Sequence, residues 1–365
     1  MPLPPPIASL VTLLARPESA LRLDLVAWDG VVRVGRTARL LATLRARLER
    51  AGMLEALPAP VRNHLDSEAA LARFQRQAVL WTLARVEAAL EGIEVPQVLL
   101  KGAAYLVQGL PCAQGRLVGD VDLLIPRDAL AEVEARLREA GWQFKPLDAH
   151  DERYYRQWTH ELPPLRHPEH ALELDVHHTI LPPLGKLRPP PERLLEAARP
   201  VPGSRWRVLA PADQVLHAAA HLFHDSDCSN RLRDLADLDS LLRGFGAEPG
   251  FWEALQERAQ VLGLGRPLWY GLHFAGRFFG TPVPRQLASQ VQGAVPPAPV
   301  KWLVEPLIAS VLPPPDPDRL PGQVRRLARQ VLLARATWLK LPLGLLVQHM
   351  FVKLRRSAAE TANAP

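Results

Sequence analysis

Two short apolar runs, Val95–Leu100 and Asp120–Ile125, are separated by a glycine turn at Lys101-Gly102 and a short helical stretch, Gly102–Gln108. Runs this short and this apolar fit strands buried on both faces, so this part of the chain is an α/β unit. The second run opens with Asp120 and Asp122. Side chains alternate across a strand, so these two carboxylates leave the same face. Adjacent carboxylates repel each other unless a cation sits between them, and hard divalent cations such as Mg2+ take oxygen ligands.

A third strand carries more acids. Ala171–Thr179 alternates, with Leu172, Leu174 and Val176 on one side and Glu173, Asp175 and His177 on the other. It pairs in prospect with Trp158–Leu165 across His167-Pro-Glu-His170, as a hairpin. Between the acidic strands, Pro126 starts a helix that runs to about Ala140, Gly141 stops it, and Trp142–Phe144 fits a short strand. Lys101-Gly102 runs into a helix N-terminus, where free N–H groups favour phosphate. Acids from two strands beside such a turn make a two-metal phosphoryl or nucleotidyl transfer site.

Both flanks read as helical. In region 1–92, Thr37–Leu54 and Ser67–Leu90 repeat apolar residues at three- and four-residue spacing, with Ser67 as cap and Gly92 as stop. Region 93–185 is the α/β core. Region 186–365 contains Asp213–His224, Arg231–Arg243, Trp252–Leu262, Arg266–Phe279 and Gln323–Lys353, the last broken at Pro342.

With 48% hydrophobic and 22% charged residues in 365, the chain is globular. The net charge of +6 suits phosphate-bearing partners. Cys112 and Cys228 build neither a disulfide framework nor a zinc ribbon, so a reducing cytoplasm is the expected compartment. The N-terminal Met-Pro-Leu-Pro-Pro-Pro lacks a signal-peptide pattern. No apolar run approaches the ~18 residues a membrane span needs.

These elements together resemble the polymerase-β-like nucleotidyltransferase superfamily, and within it a branch of uncharacterised nucleotidyltransferases. The matching residues are Leu100-Lys101-Gly102, Arg116, Asp120-Val-Asp122-Leu-Leu and Asp175-Val-His177. The resemblance covers Val95–Thr179, and more loosely the His-rich helix and Arg233–Asp237. It implies a nucleotidyltransferase core with a mixed sheet, between N-terminal helices and a larger all-helical C-terminal region. The implied reaction moves a nucleoside monophosphate from a nucleoside triphosphate such as ATP to a hydroxyl, releasing pyrophosphate. It depends on two Mg2+ ions, with Mn2+ as a substitute. The acceptor is a small molecule, a protein or an RNA end. Asp120 and Asp122 would ligate both metals. Asp175 would complete the site and help deprotonate the acceptor, with Glu173 as its competitor. Gly102 would admit the triphosphate. Ala103 stands where the superfamily has a small hydroxyl residue, so a phosphate contact falls to Lys101 or Arg116. Arg116 is equally readable as half of an ion pair. The alternative is a catalytically degenerate module that holds a nucleotide or a protein.

Two features lie outside that set. His217, His221 and His224 share one helix face, which suits a metal, packing against Asp234 and Asp237, or a place lining the cleft. His224-Asp225 also resembles the HD-type phosphohydrolases, without their separate upstream histidine. Arg325–Arg356 reads as a helical hairpin with a basic solvated side, or as a peripheral membrane contact.

Overall fold

The computed structural model describes residues 3–144, 152, 155, 158–169, 172–285, 287, 291–342 and 344–345. The chain opens with helices α1 (Pro5–Ala15), α2 (Leu25–Thr37), α3 (Leu41–Arg50) and α4 (Ala59–Ala89). The buried residues Val61, Leu65, Ala69, Ala72, Val79, Leu83 and Val86 of α4 follow helical spacing. Pro58 precedes its first turn, and Pro60 lies within that turn, where a missing N–H costs nothing. Ser67, expected to cap this helix, therefore lies inside it. The expected helix Thr37–Leu54 is also corrected: α2 ends at Thr37, α3 starts at Leu41, and Arg39 between them has a left-handed φ of 57°. A left-handed residue cannot continue a right-handed helix, so the axis turns there.

The core follows with β1 (Val98–Leu100), α5 (Lys101–Val107), β2 (Asp120–Leu124), α6 (Leu130–Glu139), β3 (Gln143–Phe144), β4 (Leu165–Arg166) and β5 (Glu173–His177). After α7 (Pro191–Ala197), the short β6 (Arg199–Pro200) and β7 (Arg207–Val208) complete one sheet, ordered β3-β4-β5-β2-β1-β7-β6. The sheet is mixed: β2 runs antiparallel to β1 and parallel to β5. The hairpin expected before β5 is present but short, with Leu165 paired to Leu174 and a bridge from Glu161 to His177. Its turn residue His170 lies outside the described residues. On one face Val121, Leu123, Leu174 and Val176 are fully buried, and α4 packs on β2 and α6. The acids take the other face.

The remaining helices are α8 (Pro211–Ala220), which runs on into a π-turn at His221–Asp225, then α9 (Leu232–Phe245), α10 (Phe251–Val261), α11 (Gly265–Phe279), α12 (Ala298–Val311) and α13 (Gln323–Lys340). One buried apolar cluster runs from Ile7 to Leu332 and takes in all three regions. Helix α13 pairs with α12 and buries Ala328, Leu332 and Ala336. Its outer side also exposes Val324, Leu327 and Trp338, so that side is not purely basic as expected. Residues 346–356 of the expected C-terminal segment lie outside the described residues.

Candidate active site

Strand register assembles the acids. In the parallel pair β2–β5, Asp120 lies opposite Glu173 and Asp122 opposite Asp175. One oxygen from each of Asp120, Asp122 and Asp175 lies within 4.8 Å of the others. Glu173 shares the face but is tied to Arg166 at the outer edge. Asp175 is thus the acid brought to the aspartate pair.

The antiparallel register of β1 with β2 puts Leu100 opposite Asp122, and so delivers the next residue, Lys101, to the same carboxylate. Lys101 Nζ donates to Asp122 Oδ1 at 2.8 Å. His177 Nε2 meets the same oxygen at 3.0 Å, and its Nδ1 lies 3.4 Å from Glu161 Oε2. Burial alone would raise the pKa of Asp122, which is 2% exposed, but Lys101 and His177 outweigh it and hold the carboxyl well below the usual range. For His177, burial opposes the charged ring, and the bonds to Asp122 and the Glu161 charge overcome it, so its pKa is raised. Among the described residues no cation bonds Asp175. Burial first, then the charges of Asp122 and Glu161, push it up to about 7. Its Oδ1 is buried without a hydrogen-bond partner among the described residues.

Those facts test the fit of a metal. The donors of Asp120, Asp122 and Asp175 are all oxygen, which suits Mg2+ or Mn2+ rather than softer ions. A cation here would satisfy Asp175 Oδ1 and ionise the group. Both protein contacts to Asp122 use Oδ1, so neither takes Oδ2. The residues fit a divalent cation.

Arg116 and Gly102 are placed against each other. Arg116 is buried, and its Nε donates to Asp237 Oδ2 of α9 at 2.8 Å. A Cβ on Gly102 would come within 2.3 Å of Arg116 Nη1 and 3.1 Å of Val118. Glycine at 102 therefore makes room for Arg116. The Arg233 guanidinium, also from α9, bonds Leu117 O at 3.1 Å and Asp234 at 3.3 Å.

The N-terminal helices reach the same place. Thr43 Oγ1 donates to Gly115 O at 3.3 Å, and a Cβ on Gly115 would strike Ala42 O at 2.2 Å. Arg39, just ahead of this contact, is exposed, and its guanidinium makes no hydrogen bond or ion pair among the described residues. It stands in the fields of Arg233, Arg116, Asp120 and Asp234. Nothing in the sequence flagged Arg39, because only the packing of α3 on the Gly115–Leu117 loop brings it to Asp120. Nor did it flag Glu161 and His160, which reach the site only through the bridge of Glu161 to His177. With His177 they form a second group of donors spaced for a metal.

The histidine helix divides its roles. His217 is buried, and burial, then the charges of Lys101 and His221, push its pKa well below the usual value. It is a neutral ring within the fields of Lys101 and Asp122. His221 Nε2 meets Arg231 Nη2 at 2.6 Å, and Arg231 pairs with Asp234. His224 is buried, and the side chain of Asp225 is not among those described. Among the described residues, neither group of donors spaced for a metal includes His217, His221 or His224.

A family described as uncharacterised nucleotidyltransferase matches residues 24–280. The chain belongs to this family. No curated protein matches it. The match starts at Asp24, whose side chain caps α2, and ends at Gly280, the left-handed residue that closes α11. The family unit therefore includes α2–α4 and α8–α11 as well as the sheet, so Arg39, Arg116, Asp237 and Arg233 all lie inside it.

Proposed function

We propose that this family member is a metal-dependent nucleotidyltransferase that moves a nucleoside monophosphate from a nucleoside triphosphate to a hydroxyl and releases pyrophosphate. The observation that carries this reading is Asp175 Oδ1, buried without a partner among the described residues in a three-carboxylate cluster. In that reading Asp120, Asp122 and Asp175 hold Mg2+ or Mn2+. When bound, such ions neutralise phosphate charge and acidify a nearby hydroxyl. Lys101 and His177 keep Asp122 ionised and fix its orientation through Oδ1. In this reading Asp175, the acid that completes the cluster, also helps take the acceptor's proton once the ions have acidified that hydroxyl. Neutral His217 backs the site without adding charge, while His177, whose pKa Asp122 and Glu161 raise, stands with Lys101 on Asp122.

A second reading rests on Ala103, which is 1% exposed and offers no hydroxyl to a phosphate. There the same site holds a nucleotide without turnover. Pyrophosphate release from the four common nucleoside triphosphates, with Mg2+ or Mn2+ and a cell lysate as acceptor source, separates the two. The expected result is release that disappears in Asp120→Ala/Asp122→Ala. Nucleotide binding by the folded wild type without any release would favour the second reading.

A further inference from the structure

Sequence reasoning assigned the phosphates to Lys101 or Arg116, yet each of these cations already has a carboxylate. Lys101 holds Asp122, and Arg116 holds Asp237 beneath Gly102. A triphosphate brings about four negative charges to a site that already carries three carboxylates. Even two divalent ions leave that sum negative, so the protein must add cations that are free to meet the phosphates.

We infer that Arg39, assisted by Arg233, forms the seat for the polyphosphate chain beside Asp120, and that this seat is assembled by the N-terminal helices and α9 rather than by the sheet. The inference rests on the reading under Proposed function. Three observations carry it. Lys101, Arg116 and Arg233, the cations that act on Asp120, each bond a carboxylate, while the guanidinium of Arg39, on which the Asp120 charge acts, bonds nothing among the described residues. The α3–Gly115 contact holds Arg39, four residues ahead of Thr43, close to the loop that leads into Asp120, and the charges of Asp120 and Arg233 act on it there. Arg39 also occupies a left-handed backbone position, φ 57°, that glycine would take without strain. A planar guanidinium is suited to phosphate oxygens, which it meets with two parallel hydrogen bonds. Arg233 already spends part of its donor fork on Leu117 O and Asp234, so it has donors left but a fixed position.

The strain gives an unusual test. Arg39→Gly relieves the left-handed backbone, so its folding stability should equal or exceed wild type. Inorganic triphosphate with Mg2+ is the probe, since the seat concerns the phosphate chain and not the base. Titration calorimetry on the full chain should show binding to wild type, and about tenfold weaker binding to Arg39→Gly and Arg39→Gln, the loss of roughly one charge-assisted pair. Arg39→Lys should recover part of it. Arg326→Gln, which removes an exposed charge on α13, should bind as wild type does. Wild-type binding that is unchanged in Arg39→Gln overturns the seat and leaves the proposed function standing. Equal weakening by Arg326→Gln overturns it too, because the effect is then net charge. A wild type that binds neither triphosphate nor any nucleoside triphosphate overturns the proposed function and the seat together.

Discussion

In the metal-free chain Asp175 keeps its proton up to about pH 7, because burial and the neighbouring Asp122 and Glu161 charges disfavour its carboxylate. Unfolded, an aspartate titrates near ~3.9. Between those values the folded chain holds a proton that the unfolded chain has lost, so this group lowers metal-free stability as pH rises from about 4 to about 7. Asp122 acts in the opposite sense: its pKa is depressed, so its pairing stabilises the fold above about pH 4 and is lost as pH falls through the folded value. Metal binding inherits the Asp175 proton. Below about pH 7 a divalent ion must displace it, so apparent Mn2+ affinity should fall about tenfold per pH unit. Calorimetry across that range is the check, and Asp175→Asn should flatten the profile. A wild-type affinity independent of pH would show that Asp175 is not a ligand.

At the scale of elements, the glycine turn is a packing device. Glycine to alanine inside a helix ordinarily gains roughly 0.5–1 kcal/mol. At Gly102 the added Cβ would meet Arg116 Nη1 at 2.3 Å, and Arg116 cannot swing away without leaving Asp237. Overpacking of that kind costs about 1–3 kcal/mol, so the clash wins. Gly102→Ala should lower the urea midpoint. A midpoint that rises would mean Arg116 yields freely and the turn is glycine for another reason. The same scale explains the strands. β1 is only Val98–Leu100, yet its register with β2 decides that Lys101 lands on Asp122, and a slip of β2 by one residue would send Asp120 and Asp122 to the apolar face.

Across the whole molecule, buried ion pairs join the helical flanks to the core and to each other. Arg116 from the loop before β2 reaches Asp237 on α9, and Arg47 of α3 donates to Leu14 O while lying 3.7 Å from Asp239. Breaking a buried pair leaves one charge uncompensated, at about 3–5 kcal/mol, whereas replacing both partners by apolar groups is often neutral. Arg116→Met and Asp237→Leu should each destabilise the protein by about that much, and the double variant should recover most of the loss in a urea double-mutant cycle. Simple additivity would mean that the two side chains do not act as a pair. The shared core from Ile7 to Leu332 predicts one cooperative transition for the parts that the sequence divides into regions.

The sequence by itself carried the strand–turn–helix–strand unit, the α/β core between helical flanks, Asp120 and Asp122 on one strand face, and the acidic face that holds Glu173 and Asp175. These depend on periodicity and spacing along a few residues, and local sterics enforce them. It could not choose between Glu173 and Asp175, because both leave one face of β5. The parallel register decided which acid met Asp122, and Arg166 took the other. It could not tell whether Lys101 and Arg116 were free cations or halves of ion pairs, because Asp122 and Asp237 reach them only after β1, β2 and α9 have packed. Nor could it point to Arg39. A side chain far away in sequence becomes part of a charge cluster only when folding brings it there, and in the dry interior that neighbour, more than the residue's own type, sets what it does.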